Sequence, residues 1–236
     1  MKKWIITLLV SVLLVVLAAC GDDEANNDNA SENNNETVTK EDPVEISEEE
    51  KMDPSETVVK INEEEIKGEA YNAIYAQVKT LYGANIKEKS QLKELTLDLL
   101  TQQELINQEA EELGIEVTED EVEKELNAYK EQQPEKFQST LERFQLSEAA
   151  LKDQLRDDLI REKYIEDQFD INVTEDDVKT FYEQQFKENQ EGDVPEFEEV
   201  RERLKEGLIK QEEQSKVQKR VKELKEQADI EVLIEA

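Results

Sequence analysis

From Lys67 to Gln227 the apolar residues recur at intervals of three and four, a spacing that commits most of this chain to amphipathic helices. Gly83 and Gly114 close two of these runs, and Pro134 and Pro195 open two others. The first run, about 67–82, places Ala70, Tyr71, Ile74, Val78, Leu81 and Tyr82 on one face. The second, about 88–113, does the same with Leu92, Leu95, Leu99, Leu100, Ile106 and Ala110. A helix starting at Pro134 carries Phe137, Leu141 and Phe144, and one capped by Ser147 runs to about Asp167. The last helix spans about 195–227. Its middle, KQEEQSK from Lys210, has no apolar residue and is expected to cross between two packed bodies.

An internal repeat fixes two more helix starts. LGIEVTEDEVEKEL from Leu113 matches FDINVTEDDVKTFY from Phe169, and in each copy a threonine precedes an acid by three residues: Thr118 with Glu121, Thr174 with Asp177. That is the spacing of a capping box, in which hydroxyl and carboxylate each satisfy a backbone N–H that the helix leaves unpaired. Two β-branched stretches flank the helices, TVVKI at 57–61 and IEVLI at 230–234. Pairing them closes the domain on itself. The expected fold is therefore mainly α, many helices with a small two-stranded element joining the N- and C-terminal strands.

The first twenty residues carry a different signal: Lys2 and Lys3, an apolar run from Trp4 to Leu17, then Leu17-Ala18-Ala19-Cys20. The run is short for a membrane span. The tetrapeptide resembles the lipobox of bacterial lipoproteins, which implies removal of residues 1–19, lipidation of Cys20 Sγ with palmitate-type chains, and location on the extracytoplasmic face of the cell membrane. Residues 20–56 are mostly Asp, Glu, Asn and Ser with almost no large apolar residues and are expected to form a disordered tether, lifting the domain (57–236) by about 35 Å on random-coil scaling.

Composition removes several chemistries. The chain has no histidine and one cysteine, so imidazole catalysis and a disulfide within the chain are both excluded, and lipidation would consume the only thiol. No glycine-rich phosphate loop is present. No catalytic residue, cofactor or metal site is expected. A net charge of −32 repels nucleic acid and anionic lipid, leaving the lipid anchor as the route to the membrane.

The order of parts resembles the N-terminal domain of the SurA and PrsA foldases. VVKINEEEIKGEAYNAI, the long helix into LGIEVTEDEVEKEL, PEKFQSTLERFQLSEAALKDQLRDDLIREKYI and INVTEDDVKTFYEQQ follow one another as in that family, over about residues 57–187. The resemblance implies a helical chaperone module into which relatives insert a parvulin prolyl isomerase before the last helix. Here only about ten residues, near 188–195, occupy that point, so the resemblance implies a chaperone without isomerase activity. Two departures stand out. Asn62-Glu63 replaces the usual Asn-Gly turn, and Gln145 replaces a common glycine, so a rearranged turn and a continuous or differently bent helix junction are expected.

Function follows as an expectation: an ATP-independent holdase for newly exported, unfolded polypeptides. Tyr75, Tyr82, Phe137, Phe144, Tyr164 and Phe181 are the candidate peptide contacts, although helical spacing assigns each more readily to core packing than to a groove. The alternative is a scaffold lipoprotein that binds one folded partner. A solute-binding lipoprotein would need alternating strands and helices, which the pattern lacks.

Overall fold

The computed structural model describes residues 45–187 and 194–234. The signal, Cys20 and the tether up to residue 44 lie outside these, as does most of the short segment after the repeat. Among the described residues, seven helices pack around a three-stranded antiparallel sheet.

β1 (Thr57–Ile61) is the central strand, with β2 (Glu64–Lys67) on one side and β3 (Ile230–Val232) on the other. Val59 faces Val232 and Ile61 faces Ile230, so the two chain ends do close the domain. Val58, Val59 and Ile61 are fully buried. The expected two-stranded element gains a third strand in β2. Its sequence, EEIK, offers a single apolar residue and no alternation, and it is a strand because the turn at Asn62 folds it back onto β1. Asn62 takes the left-handed conformation at φ 56, which asparagine tolerates better than most residues. Its Oδ1 accepts from the Asp229 N–H at 3.0 Å, and its Nδ2 donates to Gln108 at 2.7 Å. The turn thus keeps a left-handed residue without glycine and clamps β3 as well.

The helices are α1 (Gly68–Tyr82), α2 (Lys89–Glu112), α3 (Glu119–Gln132), α4 (Pro134–Phe144), α5 (Glu148–Gln168), α6 (Glu175–Tyr182) and α7 (Phe197–Lys225). Both capping boxes form: Thr118 with Glu121 opens α3, and Thr174 with Asp177 opens α6. A π-helical turn, Glu183–Lys187, continues α6. At the α4–α5 junction the expected continuous or rebent path does not occur. Gln145 adopts φ 52, and the Leu146 N–H closes back on the Leu141 carbonyl at 3.0 Å, a glycine-type helix stop built with a side chain in place.

The tether ends earlier than its composition indicates. Residues 45–56 fold onto the domain: Ile46 and Met52 pack against the first core, Glu50 is buried, and Asn72 holds both the N–H and the carbonyl of Met52. This strap also caps α1, which has no side-chain N-cap. The carbonyls of Glu56 and Pro54 accept from Gly68 and Glu69 at 2.8 and 3.1 Å. A Cβ at Gly68 would come within 2.1 Å of the Asp53 carbonyl oxygen, so glycine is required at this approach.

Three apolar clusters hold the assembly. The first joins the sheet, α1 and the first part of α2. The second joins Ile106 and Ala110 of α2, Tyr164 and Ile165 of α5, and Val217 and Val221 of α7. The third joins Val122, Leu126 and Tyr129 of α3, Phe137 of α4, and Leu151 and Leu155 of α5. Along α7 only Val200, Val217 and Val221 are buried, and α6 packs against α7. The polar stretch from Lys210 therefore lies between two buried ends, as its composition requires.

Candidate functional site

The six candidate aromatics do not converge on one groove. Tyr75 is buried in the first core, stacked on Tyr71 with centroids 5.6 Å apart, and its hydroxyl donates to Glu50 at 2.8 Å. Phe137 is buried edge-on against Tyr129 in the third core. Tyr164 is buried in the second, edge-on to Phe169. These three are core residues, and helical periodicity gives each of them a buried face without saying what covers it. Tyr82, Phe144 and Phe181 are half-buried; Tyr82 packs against the first core, and the Arg143 guanidinium lies over the Phe144 ring at 5.6 Å. Among the described residues, the large apolar side chains that do reach solvent are others: Leu113, Val194, Val232 and Leu233. Val232 departs from the alternation of IEVLI, which would bury it.

A second concentration of unusual groups lies midway along α5, between the residues it gives to the third core and those it gives to the second. Here the helix carries Asp157, Asp158, Arg161 and Glu162, all half-buried. Burial pushes the Asp158 carboxyl up to about 7, and the neighbouring Asp157 charge adds to this. Burial also raises Asp157 to about 6, although Asn107 and Gln103 of α2 donate to it. Burial pushes Arg161 down, opposed by Asp158 and by Glu213 of α7. Glu104, Glu125, Glu162 and Glu213 are raised as well, each chiefly by burial. Four helices thus contribute to one acid-lined seam in which carboxylates outnumber the one enclosed guanidinium. Such a concentration of carboxylates attracts positive charge.

The seam contrasts with the ion pairs that brace the fold. Glu109 of α2 accepts from Arg220 of α7 through Nε at 2.9 Å and from the Tyr164 hydroxyl at 2.6 Å. Every one of its neighbours is a donor, so this carboxyl is lowered although burial alone would raise it.

The family model for the SurA-like N-terminal domain matches residues 1–165, well over half the chain. The chain belongs to the SurA-like N-terminal domain family. The matched part of this SurA-like domain ends within α5, and beyond it α7 completes the second core and β3 the sheet. In the SurA family this domain is the non-catalytic, chaperone-like part. Neither the curated proteins nor the solved structures give a match.

Proposed function

We propose that this SurA-like domain is a membrane-anchored, extracytoplasmic holdase that keeps newly exported polypeptides from aggregating, without ATP and without prolyl-isomerase activity. Family membership carries the reading. The acid-lined seam and the scattered exposed apolar residues support it, since together they offer weak, non-specific contact to apolar segments and attraction to basic ones. The connection between α6 and α7 supports the lack of isomerase activity. The π-helical turn ends at Lys187, α7 starts at Phe197, and the Tyr182 hydroxyl donates to the Pro195 carbonyl at 2.7 Å, so the two helices meet through a short connection. Anchoring through lipidated Cys20 at the cell membrane rests on the Leu17-Ala18-Ala19-Cys20 sequence.

The burial of Tyr75, Phe137 and Tyr164 favours a second reading, a scaffold lipoprotein for one folded partner, because it removes half of the expected aromatic contact surface. Aggregation assays with two unrelated unfolded substrates, run beside a proline-isomerisation assay, separate the two. Protection of both substrates with no catalysed isomerisation is expected of the holdase; protection of neither leaves the scaffold. Cys20→Ser moves the protein out of the membrane fraction if the anchor is as proposed.

A further inference from the structure

The sheet has two edges of different character. β2 ends it with Glu64, Glu65 and Lys67 exposed, the charged edge that discourages further strand pairing. β3 ends it with Ile230, Glu231, Val232 and then Leu233, and here Val232 and Leu233 are 51% and 49% exposed. Being consecutive in an extended chain, these two side chains project from opposite faces. The Leu233 N–H bonds to the Val58 carbonyl at 3.0 Å, and the Asp229 carbonyl accepts from Asn62 at 2.7 Å. The odd-numbered residues therefore face β1, and the alternation of an antiparallel ladder turns the N–H and C=O groups of Ile230 and Val232 outward. β3 is held by β1 along its length and by Asn62 at its start.

An outward ladder with apolar side chains on both faces is a template for another strand. Charge selects the occupant. Asp229 and Glu231 are exposed at this edge, Glu226 is exposed at the end of α7 just before it, and the chain carries −32. A second copy, or the acidic segment before residue 45, would bring more of the same sign. We infer that the outer edge of β3 takes up an extended apolar segment flanked by lysine or arginine, from an unfolded polypeptide, as a fourth strand. The inference rests on the holdase reading and gives it a place: main-chain hydrogen bonds at β3, largely indifferent to client sequence, with the surrounding acid favouring basic flanks.

The test uses the full chain in a mild detergent and a fluorescent peptide of alternating valine and threonine with lysine at both ends. An N-methylated version blocks every backbone amide between the lysines, so that no N–H is left to face β3 whichever way the strand runs. It is expected to bind about tenfold or more weakly than the parent. A glutamate-flanked version is expected to lose about as much at low salt. Val232→Pro, which removes an outward N–H and leaves the β1 bonds intact, is expected to abolish peptide binding with an unchanged circular dichroism spectrum.

Equal binding of the methylated and parent peptides, undiminished binding by the Val232→Pro chain, equal binding of the acidic peptide, or no binding of the parent each overturns the inference. So does a dimer that Val232→Pro dissolves, which would make a second copy the occupant. If Val232→Pro still suppresses aggregation as the unmodified chain does, the edge is not the client site and the holdase reading survives. If the unmodified chain suppresses none, that reading fails whatever the peptide does.

Discussion

Arg220 of α7 and Glu109 of α2, 111 residues apart in sequence, meet through Nε at 2.9 Å and Nη2 at 2.5 Å. With the Tyr164 hydroxyl on the same carboxylate, the pair ties three helices together at the second core. Glu109 is the more enclosed partner, with 12% of its side chain accessible against 32% for Arg220. Arg220→Met strands that carboxylate and is expected to cost about 3 kcal/mol. Arg220→Lys keeps the charge but loses the fork and should cost about 1 kcal/mol. Urea titrations of the two variants read the difference directly, and equal costs would mean that the geometry of the fork contributes nothing.

Gln145 and Gly114 end helices in the same left-handed conformation, at φ 52 and φ 73. Only glycine adopts it without a steric penalty, so Gln145→Gly is expected to stabilise by about 1 kcal/mol and Gly114→Ala to destabilise by a similar amount. For a chain of this size that is about 2–4 °C in Tm in opposite directions, measurable by differential scanning calorimetry.

Glu50 contributes to stability against acid. Burial would raise its pKa, but hydrogen bonds from Lys79, Ser47 and Tyr75 outweigh this and hold it at about 2, below its ordinary 4.5. A depressed carboxyl stabilises the fold above its unfolded pKa, and that contribution is lost as pH falls from about 4.5 towards about 2. Glu50→Gln should flatten the fall in Tm over this window and lower Tm at neutral pH, where the Lys79 pair at 2.7 Å is lost.

Asp158 acts with the opposite sign. Its carboxyl is raised from 3.8 to about 7, so the folded state holds a proton that the unfolded chain releases, and stability declines as pH rises between those values. Asp158→Asn should raise Tm at pH 8, leave it little changed near pH 4, and reduce the slope between. An unchanged slope would place the charge in ordinary solvent contact.

The helices were legible because their determinants are local. Thr118 and Glu121 stand three residues apart, and the Leu92–Ala110 spacing defines a face within one segment. β2 was not legible, since its strand character comes from β1 and not from EEIK. Nor was the strap, where Ile46 and Met52 are isolated apolar residues in an acidic run and Glu50 is buried by Lys79 and Tyr75 from α1. The site was less legible than the fold. Periodicity places Tyr75 and Tyr164 on apolar faces, but only tertiary packing decides that those faces are covered while Val232 and Leu233 are left open.

A holdase binds unfolded chains as a class. The most direct test of this is a fluorescence-anisotropy titration of the full chain against two unrelated, permanently unfolded polypeptides, with their folded counterparts as controls. Both unfolded polypeptides are expected to bind and to compete with each other while neither folded form binds. Binding to one folded protein alone, or to none of the four, would contradict the holdase reading.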